Sequence, residues 1–216
     1  MKVAPSILAG DFSQFQKEIR RVEHAGADLI HLDVMDGVFV PNLTFGPMIV
    51  EAVRKIATIE LDAHLMIVNP EKYIDQFLDQ GADWLSFHFE ATARIPECIR
   101  KIKKHGKKAG LAISPATPFV YAERYLEKLD YFLVMSVNPG FYGQKFIPAV
   151  LEKIKAAKDA VVRHKLKCRI QVDGGIYPDN VRPIRDAGAD IVVAGAGIFK
   201  TDNYRKAITE LRCLKD

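Results

Sequence analysis

The run L-I-H-L-D-V-M, from Leu29 to Met35, decides how this chain is read. Five of its seven residues are apolar, and the other two, His31 and Asp33, stand two apart. A short apolar run of this kind suits a strand buried on both faces, as in a parallel sheet. Side chains two apart on a strand share a face, so His31 and Asp33 point the same way. Outward from this run the same pattern recurs seven times. VAPSILA starts at Val3, LDAHLMI at Leu61, WLSFHF at Trp84 and KAGLAIS at Lys108; YFLVMSV starts at Tyr131, CRIQVDGG at Cys168 and IVVAGAG at Ile191. The stretches between them carry helical periodicity. Phe15, Ile19 and Val22 share one face, as do Ile49, Val53 and Ile56, and Ile147, Leu151, Ile154 and Val161. Each "GAD" signal, at Gly26, Gly81 and Gly188, falls where a helix should end in a left-handed glycine.

Strand and helix alternating eight times imply parallel strands joined by right-handed crossovers. Eight evenly spaced units favour closure into a barrel, and no GxGxxG follows the first strand to suggest an open dinucleotide-binding sheet. The expectation is an α/β fold in which residues 1–216 make a single (β/α)8 barrel. The length suits one large domain, and 49% hydrophobic residues supply its core. The net charge is +4, and basic residues such as Lys101, Lys103, Lys104, Lys107 and Lys108 read as a solvated helix face. No aromatic residues alternate with them, so no nucleic-acid partner is expected. Cys98, Cys168 and Cys213 are odd in number and far apart, which suits a reduced, cytoplasmic protein. No signal peptide or membrane helix is expected.

A barrel of this type carries its chemistry at the C-terminal ends of its strands. His31 and Asp33 on strand two, His64 on strand three and Asp173 on strand seven therefore converge on one rim. Two imidazoles and two carboxylates suit one divalent ion such as Zn²⁺, Fe²⁺, Mn²⁺ or Co²⁺ better than Mg²⁺. Asp36, before Gly37, reads as a turn residue, and Asp62 as a structural partner deeper in the barrel. His88 could line the pocket. His24, His105 and His164 read as exposed helix ends. Met35, Met66 and Met135 end or nearly end strands and would give an apolar, water-excluding floor. Glycine-rich segments follow strands six, seven and eight: NPGFYGQ at 138–144, DGGI at 173–176 and AGAGIF at 194–199. Converging backbone N–H groups of this kind form a phosphate clamp.

With these residues in view, the chain resembles the ribulose-phosphate 3-epimerases from end to end. The resemblance rests on APSILAGDF at Ala4, HLDVMDGVFVPNLTFGP at His31, DAHLMIVNP at Asp62, SVNPGFYGQKFIP at Ser136 and VDGGI at Val172. It implies a TIM barrel of the ribulose-phosphate-binding type and a homo-oligomer, either dimer or hexamer. It also implies metal-dependent interconversion of D-ribulose 5-phosphate and D-xylulose 5-phosphate in the pentose phosphate pathway. By the same resemblance Asp33 is the proton acceptor and Asp173 the donor. His31, Asp33, His64 and Asp173 hold the metal, Zn²⁺ or Fe²⁺ first. Ser6, His64, Gly140, Phe141, Tyr142, Gly143, Asp173, Gly174, Gly175, Gly195 and Ala196 bind substrate. Two positions depart from the family's usual pattern: Tyr142 stands where a glycine is common, and Ala196 where a serine is.

Epimerisation at carbon 3 removes a proton beside the carbon-2 ketone and returns one to the opposite face. That reaction needs two acid/base groups and stabilisation of an enediolate. Asp33 is expected to act ionised as base and Asp173 protonated as acid, with roles reversed in the other direction. The alternative substrate is a six-carbon ketose phosphate such as D-allulose 6-phosphate. A Schiff-base aldolase would want a lysine on a strand, and no strand interior offers one.

Overall fold

The computed structural model describes residues 1–212; Cys213 and the three residues after it lie outside the described residues. Among the described residues there are eight strands: β1 (Lys2–Pro5), β2 (Leu29–Met35), β3 (Glu60–Met66), β4 (Trp84–His88), β5 (Lys108–Ile113), β6 (Tyr131–Met135), β7 (Arg169–Asp173) and β8 (Ile191–Ala194). All pair in parallel, in the order β1-β8-β7-β6-β5-β4-β3-β2. The remaining seam, between β1 and β2, is held by one parallel bridge from Ser6 to His31. The eight runs read from the sequence are therefore the eight staves of a nearly closed barrel.

The helices cover its outside: α1 (Phe15–His24), α2 (Pro47–Ile56), α3 (Ile74–Asp79), α4 (Ile95–Lys104), α5 (Val150–Arg163), α6 (Val181–Asp186), α7 (Ala196–Phe199) and α8 (Tyr204–Arg212). Ile19, Val22, Val50, Val53, Ile154 and Val161 bury against the strands. Two expectations need correction. Ile147 is not part of α5: Pro148 and Ala149 form a turn ahead of Val150, and Ile147 packs on the core from the preceding segment. The crossover between β5 and β6 is not an α-helix but two 3-10 turns, Phe119–Tyr121 and Glu123–Lys128. Pro118 holds extended backbone ahead of the first of these turns (φ −62°, ψ 134°).

The glycines of the GAD signals do adopt positive φ, at +95° for Gly26, +106° for Gly81 and +111° for Gly188. Their aspartates have a second role. Asp28, Asp83 and Asp190 accept backbone N–H bonds from Val3, Leu61 and Ile170, at the starts of β1, β3 and β7. Asp130 does the same for Ala109 of β5. Each also pairs with a cation, respectively Arg212, Arg54 with Lys107, Lys158, and Lys103. These clamps lie at the end of the barrel away from the chemistry, and they occupy several of the basic side chains.

Inward-facing side chains stack in layers along the barrel axis. Ala4, Leu29, Trp84, Tyr131 and Ile191 pack the lower layer. Buried His31, Asp62, Ser86 and Gln171 lie above it, and Asp33, His64, His88 and Asp173 lie above those. Polarity thus rises toward the C-terminal ends of the strands, where a barrel opens to ligands.

Candidate active site

Four donor atoms meet at that end. His31 and Asp33 share the inward face of β2, His64 comes from β3 and Asp173 from the last position of β7. One ligand atom from each lies within 4.8 Å of the others. His31 Nε2 is 3.4 Å from Asp33 Oδ1 and 3.9 Å from Asp173 Oδ2. His64 Nδ1 is 3.5 Å and 3.8 Å from the same two atoms. Metal–ligand bonds of about 2.1 Å in a tetrahedron set donors about 3.4 Å apart, so these spacings suit one ion. His31 Nε2 and His64 Nδ1 are buried and have no hydrogen-bond partner. Orphaned buried nitrogens are costly unless something satisfies them, and a cation between two carboxylates does so. The residues present therefore fit a divalent metal.

Three of the four are held from behind. His31 Nδ1 donates to Asp62 Oδ2 at 2.8 Å. Asp62 also accepts from Gln171 Nε2 at 2.6 Å and from the Tyr131 hydroxyl at 2.9 Å. His64 Nε2 meets His88 Nε2 at 3.0 Å, and His88 Nδ1 meets Glu90 Oε2 at 3.1 Å. The Ser6 hydroxyl donates to Asp33 Oδ2 at 2.5 Å. The Thr44 hydroxyl donates to the Asp33 carbonyl at 2.5 Å and accepts from the Met35 N–H at 2.9 Å, which fixes the end of β2.

Above the donor cluster opens a small cleft of about 50 Å³. Ser6, Asp33 and Asp173 line it, with Met35, Met66 and Met135. So do Gly140, Phe141, Tyr142, Gly143, Gly174, Gly175, Gly195 and Ala196. His31 and His64 do not; both are fully buried beneath the floor. The glycine loops need their glycines. At Gly174, φ is +117° and a Cβ would stand 2.3 Å from Val137 Cγ2. At Gly197 a Cβ would stand 2.5 Å from the Ile176 carbonyl, so the loops after β7 and β8 touch backbone to backbone.

The comparisons with known proteins agree with this geometry. A model described as the Ribulose-phosphate 3 epimerase family matches residues 2–199. The chain belongs to the ribulose-phosphate 3-epimerase family. It is 49% identical to the ribulose-phosphate 3-epimerase of Synechocystis sp., over 97% of this chain and 92% of that protein. With its namesake from Bacillus subtilis it shares 48% identity over 98% of each, and with that of Escherichia coli K12 42% over 97% and 94%. Solved structures extend the fold more widely. A 3-hexulose-6-phosphate synthase from Salmonella typhimurium superposes with a TM-score of 0.73 at 21% identity, covering 98% of this chain and 96% of the other. A mutant tryptophan synthase α-subunit from Pyrococcus furiosus gives 0.74 at 16%, covering 99% and 98%.

In this ribulose-phosphate 3-epimerase family member the protein's own charges split the four donors into two states. Burial opposes a charge on His31, but Asp33 and Asp62 outweigh it and raise its pKa well above the usual imidazole range. Burial also works against ionised Asp33, yet the charge of His31 and the closeness of the His31 and His64 rings hold it well below the carboxylate range. Burial pulls His64 down to about 4, so its ring is neutral. Burial, together with the charge on Asp33, pushes Asp173 up to about 8. The surrounding charges thus favour the anion at Asp33 and the neutral acid at Asp173.

The sequence located every residue of the donor cluster and read Asp62 as a structural partner, which stands behind His31, but missed the other supports. Gln171 precedes Asp173 by two and so shares its inward face, a polar residue in an apolar strand; that signal was available. Tyr131 opens β6, and a Cβ on Gly110 would stand 2.3 Å from its Cζ, so glycine there makes room for the ring. His88 lines no part of the cleft and stands behind His64. Asp36 accepts from Val38, Phe39 and Val68 N–H groups, as a turn residue does.

Proposed function

We propose that residues 1–216 act as one catalytic barrel that interconverts D-ribulose 5-phosphate and D-xylulose 5-phosphate by two-base proton transfer at carbon 3. The observation that carries this reading is the pair Asp33 and Asp173, two buried carboxyl groups from different strands that line one cleft beside the donor cluster. They stand on β2 and β7 with β1 and β8 between them, so they approach a substrate from different sides. The Asp33 carboxylate takes the carbon-3 proton. Negative charge then passes to the carbon-2 oxygen, and the Asp173 carboxylic acid delivers a proton to the opposite face. In the reverse direction the roles exchange.

His31, Asp33, His64 and Asp173 would hold the metal, which supplies Lewis-acid stabilisation of the developing enediolate charge when bound. Two imidazole nitrogens and two carboxylate oxygens favour Zn²⁺ or Fe²⁺, with Mn²⁺ or Co²⁺ as further candidates. Ser6 holds Asp33 in place through its hydroxyl. Met35, Met66 and Met135 give the reacting carbons an apolar floor that keeps water from the carbanion. Backbone N–H groups of Gly174 and Gly175, of Gly195 and Ala196, and of the Gly140–Gly143 loop receive the phosphate. Tyr142 lines the cleft from that loop and is half exposed.

The relatives at 42–49% identity favour the five-carbon substrate over D-allulose 6-phosphate. A homo-oligomer in the cytoplasm completes the reading. Exposed Val38, Leu43 and Met48 give a second copy apolar surface to cover, and buried, unpaired Cys98 and Cys168 suit a reducing compartment. Among the described residues no helix is long and apolar enough to cross a membrane. The test is turnover of both ketose phosphates by chelator-stripped protein, before and after adding each of the four ions. Ion-restored epimerisation of D-ribulose 5-phosphate supports the reading. Preference for the six-carbon substrate, or turnover indifferent to stripping, contradicts it.

A further inference from the structure

The two imidazoles of the donor cluster use opposite nitrogens. His31 turns Nε2 to the carboxylates and Nδ1 away; His64 turns Nδ1 to them and Nε2 away. A neutral imidazole offers a lone pair at one nitrogen only if its proton sits on the other. For His31 the proton on Nδ1 is held by the Asp62 carboxylate, a common arrangement behind metal-bound histidines. For His64 the partner is another imidazole, His88, which can either donate or accept. Something beyond His88 must choose.

That choice is made by Glu90. Its Oε2 lies 3.1 Å from His88 Nδ1. A carboxylate only accepts, so the His88 proton sits on Nδ1 and its Nε2 carries the lone pair. His64 must then donate through Nε2, and its Nδ1 lone pair faces Asp33 and Asp173. Glu90 is itself fixed. Its Oε1 accepts from the Ser114 N–H at 2.9 Å and from the Thr117 hydroxyl. The loop that carries both is pinned by Lys153, whose Nζ donates to the carbonyls of Ser114, Pro115 and Thr117 at 2.9, 2.8 and 2.6 Å. His64 and His88 are fully buried, so no bulk water competes for these protons.

We infer that Glu90, through His88, is a positioning residue that sets the tautomer of His64 and thereby presents its Nδ1 to the metal. The inference rests on the metal reading above. It gives Glu90 and His88 a role in affinity although neither touches ion nor substrate.

Glu90→Gln tests the direction of the relay. The Ser114 N–H can only donate, so the glutamine carbonyl oxygen stays with it and the amide nitrogen turns to His88 Nδ1. His88 then accepts there and donates from Nε2, which forces the His64 proton onto Nδ1. Co²⁺ affinity, read by chelator competition and by the ion's visible spectrum, is expected to fall about ten- to hundredfold. Thr117→Val removes a loop contact from Glu90 without inverting the relay, and its Co²⁺ affinity should stay within about threefold of wild type. Should Glu90→Gln not fold, ¹⁵N-histidine NMR of the Zn²⁺-loaded wild-type chain reads the tautomers directly. Zinc on His64 Nδ1 with a proton on Nε2, and on His31 Nε2 with a proton on Nδ1, supports the relay. Zinc on His64 Nε2, or wild-type Co²⁺ affinity and spectrum in Glu90→Gln, overturns it. Failure of the wild-type chain to bind either ion overturns the metal reading, and the relay with it.

Discussion

Asp62→Ala is the substitution whose cost the structure specifies most fully. The Asp62 carboxylate is fully buried and accepts three hydrogen bonds, from His31 at 2.8 Å, Gln171 at 2.6 Å and Tyr131 at 2.9 Å. Alanine leaves all three donors without an acceptor. At about 1–3 kcal/mol for each buried donor left unpaired, and with some relaxation, the loss is about 3–6 kcal/mol. For a chain of this length that lowers Tm by about 6–24 °C. His31 also loses the group that keeps its proton on Nδ1, so Zn²⁺ affinity should fall about a hundredfold. Asp62→Asn separates the two effects. Its carbonyl oxygen can still accept from His31 and Gln171 while its amide faces the Tyr131 hydroxyl. Stability should largely return, and affinity should stay about tenfold low, because the negative charge behind His31 is gone. Scanning calorimetry and chelator competition measure both. Wild-type Tm and Zn²⁺ affinity in Asp62→Ala would refute the reasoning.

Asp33→Asn and Asp173→Asn should each lower kcat by about a hundred- to ten-thousandfold with the circular dichroism spectrum unchanged; near-normal turnover in either would contradict a two-base scheme. Gly110→Ala places a methyl 2.3 Å from Tyr131 Cζ and should cost about 1–3 kcal/mol in urea denaturation, with no loss if the ring can move freely. Glu90 gives a pH dependence. Burial opposes its ionisation, but hydrogen bonds from His88, Thr117 and the Ser114 N–H hold it down at about 2 against an ordinary 4.5. The folded chain therefore releases this proton more readily than the unfolded chain. The stabilisation is present above pH 4.5 and is lost as pH falls toward 2. Glu90→Gln lacks it, so the stability gap between wild type and variant should narrow across that window in acid titrations; a constant gap would show that the carboxylate does not titrate as the geometry implies.

The barrel was legible because its strands are short, apolar and evenly spaced, and because few polar residues interrupt them. His31, Asp33, His64 and Asp173 stood out as ionisable groups in apolar runs, where only a ligand or a partner offsets their burial. What stayed hidden depends on contacts between strands rather than on spacing along one. The β1–β2 seam rests on a single bridge at Ser6, which no periodicity reveals. The aspartates of the GAD signals cap the preceding strand from 20 to 25 residues away, so the glycine was readable and the carboxylate's role was not. Ile147 matched the helical period of α5, but Pro148 and Ala149 form a turn between it and the helix. His88 ends β4 and Glu90 follows in a 3-10 turn. Only the fold shows that His88 stands behind His64 and Glu90 behind His88.

The central claim is that Asp33 and Asp173 exchange the carbon-3 proton from opposite faces. Its most direct test is conversion of D-ribulose 5-phosphate in D₂O by the metal-reloaded enzyme, with deuterium at carbon 3 of the product followed by NMR. Two bases predict that each molecule of D-xylulose 5-phosphate formed in the first turnover carries solvent deuterium at carbon 3. Product that retains the substrate's own hydrogen there would mean one group moves the proton across both faces, and the account would be wrong.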